Sequence, residues 1–184
     1  MASRIQHLLD KTSALRADRD RTAQYIGSNA ERYAALLQCA LAKDPEISKK
    51  ACWVLETVIL NTPELLRTDR EELFRVFQET TDASAIRPLA KIIAFWSESF
   101  LSKGTESTPT ITKDEADILV SLCFNWLLAD HPVAIKVFSM EALLHLGREQ
   151  TWVHRELKDQ LVRMYPVSSP AFRARARKIL GILG

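Results

Sequence analysis

Apolar residues recur along this chain with the period of an α-helix. Ile47, Ala51, Val54, Leu55 and Val58 fall at i, i+4, i+7, i+8 and i+11, and Phe172, Ala176, Ile179, Leu180 and Leu183 repeat that spacing. Residues so spaced share one face of a 3.6-residue helix, whereas a half-buried strand alternates at every second position. Followed from end to end, the pattern predicts two N-terminal helices, 3–15 and 17–26, and then four helical hairpins. The hairpins pair 30–41 with 45–60, 69–79 with 85–101, 113–128 with 131–146, and 152–164 with 170–183. The fold class is all-α.

The polar positions between these stripes supply the boundaries. Asp44-Pro45, Thr62-Pro63 and Ser169-Pro170 each place a capping side chain before a proline at the first helical position, where the missing N–H costs nothing. Thr68-x-x-Glu71 and Thr112-x-x-Glu115 have the spacing of capping boxes, Asp130 stands in the same turn position as Asp44 and Asp82, and Gly147 marks a stop. The turns at Asp44, Asp82, Asp130 and Ser169 are separated by 38, 48 and 39 positions. Self-similarity at such a period is the signature of stacked helical units, none of which buries its apolar face alone. The long step contains a polar, breaker-rich stretch, and 102–112 is expected to be a surface loop. The expected organisation is one repeat domain over 1–184, with N-terminal helices in 1–28 and hairpins in 29–183.

Composition narrows the class further. At 184 residues, 47% hydrophobic and 26% charged, the chain is long enough for a proper core and lacks the bias of a disordered or fibrous protein. No stretch reaches the ~18 uncharged apolar residues of a membrane span, and residues 1–21 mix both signs of charge, so the expectation is a cytoplasmic protein. Cys39, Cys52 and Cys123 lie in apolar helical stretches without a C-x-x-C pair and read as buried thiols. A net charge of +2 implies no polyanionic partner by itself; only its distribution would.

The Asp-Pro turn, the small residue at Ala51, Ala90 or Ala176 and the ~39-residue step resemble HEAT-like, armadillo-like repeats over about residues 30–183. That resemblance implies a right-handed α-α superhelix used as a binding surface. The stretch from Lys49 to Glu56, with 82–88 and 174–180, is also similar to a small group of uncharacterised bacterial HEAT-like proteins, some of which carry the name adenylosuccinate lyase. The Ser-Ser-x-Met-Pro-x-Lys-x-Asn loop of that lyase superfamily has no counterpart here, and lyase activity is not expected.

Candidate chemistry is sparse. Trp126-Leu127-Leu128-Ala129-Asp130 resembles the tryptophan and carboxylate with which HEAT-like DNA alkyl-base glycosylases hold a cationic base, but Asp130 shares the turn position of Asp44 and Asp82, where a capping role suffices and is the favoured reading. Basic residues recur on the second helices: Lys49 and Lys50, Arg87 and Lys91, Lys136, then Arg173, Arg175, Arg177 and Lys178. On a solenoid these would form a track for phosphates; the opposing reading is a solvated face neutralised by Glu46, Glu56, Glu98 and Glu141. Trp53, with Lys49 four residues before it and Glu56 three after, has the makeup of a protein-binding hot spot or of a cover between helices. Trp96 continues the Ile86, Leu89, Ile93, Phe100 stripe and reads as core, and Trp152 reads as a staple at a helix start. His7, His131, His145 and His154 lack a metal-binding arrangement, and no phosphate loop or nucleophile motif occurs, so neither metal nor cofactor is expected. The sequence therefore reads as a monomeric, non-enzymatic scaffold that binds a partner protein or acidic peptide. Trp53, Lys49, Glu56, Arg87, Lys91, Lys136, Arg173 and Arg175 are the candidate contacts; the alternative is nucleic-acid binding, extending to a relative of the HEAT-like DNA alkyl-base glycosylases with its chemistry centred on Asp130.

Overall fold

The computed structural model describes residues 2–99 and 109–184, and every regular element among them is helical. The α-helices are α1 (Ala2–Lys11), α2 (Arg16–Ile26), α3 (Ala30–Ala40), α4 (Pro45–Asn61), α5 (Arg70–Glu79), α6 (Ala83–Glu98), α7 (Lys113–Leu128), α8 (Val133–Leu146), α9 (Thr151–Met164) and α10 (Pro170–Leu183). Short 3-10 turns, Pro63–Arg67 and Tyr165–Val167, precede α5 and α10. The last two residues of the expected helix 85–101 and most of the expected loop 102–112 fall in residues 100–108, outside the described residues.

Several boundaries are held by the side chains that announce them. The Asp44 carboxylate accepts from the backbone N–H groups of Glu46 (2.9 Å) and Ile47 (3.4 Å), and Asp82 accepts from Ser84 (2.9 Å) and Ala85 (3.1 Å). Ser169 accepts from the Phe172 amide, and the capping box of Thr112 and Glu115 is complete in both directions. Each such cap contributes ~1 kcal/mol by satisfying amides that the first turn leaves without partners.

Four expected boundary features are corrected. The Thr68–Glu71 box does not form, because the 3-10 turn ends at Thr68 and Asp69, in the left-handed region at φ 48°, occupies the cap position of α5. Thr62 likewise precedes a 3-10 turn without capping it. Asp130 does not cap α8, which starts at Val133 behind Pro132, too far along for the Asp130 carboxylate to serve as its cap. Finally, α1 stops at Lys11 rather than near residue 15: the Thr12 hydroxyl bonds back to the Leu8 carbonyl (2.9 Å) and lies 2.8 Å from the Thr22 hydroxyl, while Ser13 donates to Asp18 (2.6 Å). These bonds turn the chain directly into α2, and the Ser13 contact, with Arg21 adding to it, holds the Asp18 carboxyl below its usual range.

The chain divides into two compact units, one formed by the described residues up to Ile92 with Pro109, the other by Ile93 to Ser99 with Thr110 to Gly184. In the first, α3 packs against both α1 and α5, and α4 packs against α2 and α3. The stripe on α4 is buried as its period requires, from Ile47 at 3% exposure to Val54 and Leu55 at 0%, each large aliphatic side chain contributing ~1.5–3 kcal/mol on leaving water. The guanidinium groups of Arg4 (5.1 Å) and Arg32 (4.3 Å) both lie over the Tyr25 ring of α2.

In the second unit α8 packs against α7, α9 and α10, which explains its apolar sequence on nearly every side. Trp96 is fully buried there, as its stripe predicts. On α10, Phe172, Ala176 and Ile179 are buried, while Leu180 and Leu183 are only half-buried.

All three cysteines are free and buried. Burial pushes the Cys52 thiol up to about 12 and raises Cys39 and Cys123 as well, so the thiolate, the reactive form, is scarce at each. Tyr33 is fully buried, and its hydroxyl has no hydrogen-bond partner among the described residues; burial and the nearby Asp69 carboxylate raise its pKa. Removing a buried group that makes no bond removes a desolvation cost, so Tyr33→Phe is expected to stabilise the protein by ~1 kcal/mol. A urea midpoint unchanged or lower in the variant would show that the hydroxyl is satisfied in solution.

Candidate anion-binding cleft

On α4, one step off the buried stripe, Lys49, Trp53 and Glu56 follow one another along the side that meets α6. Trp53 is half-buried, and its indole Nε1 donates to the Ser84 carbonyl at 3.0 Å, in the first turn of α6. The Lys49 ammonium lies 5.6 Å from the Trp53 ring centroid and 2.5 Å from Glu46 Oε1. One turn further, Glu56 is only 6% exposed. Its Oε1 accepts from Lys91 Nζ at 2.7 Å, and its Oε2 lies 3.4 Å from an Arg87 guanidinium nitrogen.

A carboxylate so deep is tolerated only when paired and hydrogen-bonded. Arg87 and Lys91, four residues apart on α6, supply that pairing because i and i+4 share a helix face. The two cations nevertheless keep 39% and 38% of their side-chain surface exposed. Glu56 therefore acts as an anchor at the floor, fixing two cationic groups whose outer sides remain open to solvent.

Those open sides form part of a cleft of about 380 Å³. Arg16, Arg19 and Asp20 of α2 and Thr57, Leu60 and Asn61 of α4 complete its lining. Four cations thus face two carboxylates, a formal surplus of +2. Asp20 is met by Arg16 at 3.5 Å, and Glu56 by the α6 pair. Arg19 is different: its Nε is buried and has no hydrogen-bond acceptor among the described residues. A guanidinium lining a polar cleft of surplus positive charge is suited to an oxyanion.

No protein-family model matches the chain, and it has no match among curated proteins or solved structures.

Of the residues singled out in the sequence, the fold brings Trp53, Lys49, Glu56, Arg87 and Lys91 together at the contact between α4 and α6. Trp53 there joins two helices through its indole hydrogen bond to the Ser84 carbonyl. In the second unit the Arg175 guanidinium pairs with Glu141. Lys136 and Arg173 have no ion pair or hydrogen bond among the described residues and are half-buried. Lys50 donates to the Asp10 carbonyl (2.9 Å), at the last turn of α1, and Arg177 donates to the Tyr165 hydroxyl (3.0 Å). Lys49, Arg87, Lys91 and Arg175 are thus each met by one of Glu46, Glu56 and Glu141.

Trp126 is 6% exposed and Asp130 lies in an exposed turn, so the Trp126 ring offers no open face for stacking. His145 is half-buried; burial and Arg148 hold its pKa below the usual value, against a smaller opposing pull from Glu98. Trp152 is 48% exposed, hydrogen-bonded to Gln150 (3.0 Å) and stacked on Phe124 at 6.1 Å, which fastens the start of α9 to α7. Sequence reasoning missed Arg16, Arg19 and Asp20. The available signal was the alternating charge run Arg16-Ala17-Asp18-Arg19-Asp20, in which Arg16 and Arg19 fall three apart, on one helix face.

Proposed function

We propose that this protein is a non-enzymatic helical repeat module of the HEAT-like kind, acting in the cytoplasm as a monomer, and that it binds an acidic segment of a partner protein. The observation that carries the reading is the cleft lined by α2, α4 and α6, where four cations face two carboxylates and both α6 cations are anchored from below by Glu56. Anchored cations lose less conformational freedom on binding than free surface lysines, so their charge is pre-organised for a ligand. The repeat reading is supported by the first unit, where α1, α3 and α5 follow one another and α2, α4 and α6 form a parallel succession. Arg16, Arg19, Arg87 and Lys91 make the contact, while Trp53, Lys49 and Glu56 hold the wall. Lys136, Arg173 and Arg175 are candidate contacts of the second unit.

Fluorescence anisotropy with a labelled Glu-rich peptide and its Gln-rich counterpart tests the reading. The acidic peptide should bind, and weaken as salt rises, since the attraction is between partly exposed charges. Replacing Arg16 and Arg19 together by Gln should weaken it about tenfold, ~1.4 kcal/mol, with the helical circular dichroism unchanged. Equal binding of both peptides, or binding indifferent to these substitutions, would remove the cleft as the site. Duplex DNA, single-stranded DNA and RNA belong in the same titration. Binding with a steep salt dependence, abolished by the same substitutions, would replace the acidic-segment reading by a phosphodiester one.

A further inference from the structure

We infer that the anion held in this cleft is a phosphomonoester dianion on a side chain of the partner segment, a conclusion that rests on the acidic-partner reading above and narrows it. Charge is the first argument. With Asp20 met by Arg16 and Glu56 by the α6 pair, the lining keeps a surplus of +2. A phosphomonoester carries about −1.5 to −2 near neutral pH, whereas one carboxylate carries −1 and leaves part of the surplus uncompensated.

Donor geometry is the second argument. The Arg16 and Arg19 side chains come from α2, and the outer sides of Arg87 and Lys91 come from α6. A phosphate presents three terminal oxygens and can accept from donors converging from different helices; a planar carboxylate presents two. The cleft, at about 380 Å³, also has room for a phosphate together with the side chain that carries it. Thr57 and Asn61 in the lining add neutral donors for an ester or backbone oxygen. Glu56 has a selective role. It fixes the cations, yet its own charge at the floor opposes a weakly held anion, so only a ligand that meets several cations at once is favoured.

The experiment uses the full chain and three labelled peptides of one otherwise neutral sequence, carrying phosphoserine, glutamate or serine at the same central position. The phosphopeptide is expected to bind at least about tenfold more tightly than the glutamate peptide, and the serine peptide not at all. No histidine lines the cleft, so affinity for the phosphopeptide should rise severalfold between about pH 5.5 and 7.5, as its second proton (pKa about 6) is lost. The glutamate peptide should stay level over that range. Arg19→Gln should weaken the phosphopeptide about tenfold and Arg19→Lys less, while Arg163→Gln, exposed in the second unit, should leave it unchanged. Equal affinity for phosphoserine and glutamate peptides would overturn this inference and leave the acidic-partner reading standing; no binding of either would overturn it too, and the Glu-rich peptide then decides the acidic-partner reading separately. Phosphopeptide binding that survives Arg19→Gln would overturn the placement in the cleft. Free O-phosphoserine binding as tightly as the peptide would overturn the partner-segment half, assigning the cleft to a small phosphate ester.

Discussion

Replacing Arg87 and Lys91 together by alanine is expected to destabilise the protein by ~2–3 kcal/mol, although both side chains lie at the surface. The cost comes from the group left behind. In the intact protein Glu56 is only 6% exposed, and without its partners a carboxylate in that position is left with no compensating charge. The attraction of the pairs themselves is worth less than their short distances suggest, because each cation keeps more than a third of its side-chain surface in water. The asymmetry is therefore testable. Glu56→Gln alone should cost less than ~1 kcal/mol, since two partly exposed cations return to solvent easily. Adding Glu56→Gln to the double variant should restore most of the lost stability. Urea unfolding followed by circular dichroism measures all three; a double variant within experimental error of the wild type would mean that Glu56 is hydrated in solution. For the same reason, Arg16 and Arg19 are cleaner probes of ligand binding than the α6 pair.

Gly147→Ala is expected to cost ~2–3 kcal/mol by overpacking. Gly147 follows α8 with φ −70° and ψ −7°, a conformation open to any residue, so backbone strain is not the reason. An added Cβ would land on the His154 ring and 2.9 Å from the Leu143 carbonyl oxygen. The ring cannot swing away cheaply, because its Nε2 is held 2.8 Å from the Leu144 carbonyl. His154→Ala removes one of the two obstacles, so in that background Gly147→Ala should cost only ~1 kcal/mol. A double-mutant cycle should then return a coupling of at least ~1 kcal/mol. Equal costs in both backgrounds would show that the ring yields and that the close approach to Leu143 alone accounts for the effect. In sequence Gly147 is legible as a helix stop, but its reason is the approach of α9 to the end of α8.

The helices and several of their start signals depend on neighbours three or four residues away, and so are legible in one dimension. Asp44, Asp82, Ser169 and the Thr112–Glu115 box cap as their spacing predicts. Thr68 and Asp130 show the limit of that logic. Both have the right side chain near a helix start, but the backbone between them and the helix takes another course: through a left-handed Asp69 in one case, through Pro132 in the other. Trp96 was readable as core because its stripe states which face is inward.

The candidate cleft was legible only in part. Arg87, Lys91, Glu56 and Trp53 stood out, but not what they do to one another, because Glu56 and Lys91 meet across 35 positions of sequence. Arg16 and Arg19 could not be grouped with them at all: a charged residue on a helix surface carries no record of which distant helix it will face. By itself the sequence determined the all-helical class, the element order and the inward stripes, since these follow from local hydrogen bonding and periodic burial. Only the tertiary structure decided which charges are anchored, which are left over, and that Arg19 Nε is buried without an acceptor among the described residues. Those properties arise from packing between helices distant in sequence, where burial sets the cost of an unpaired charge.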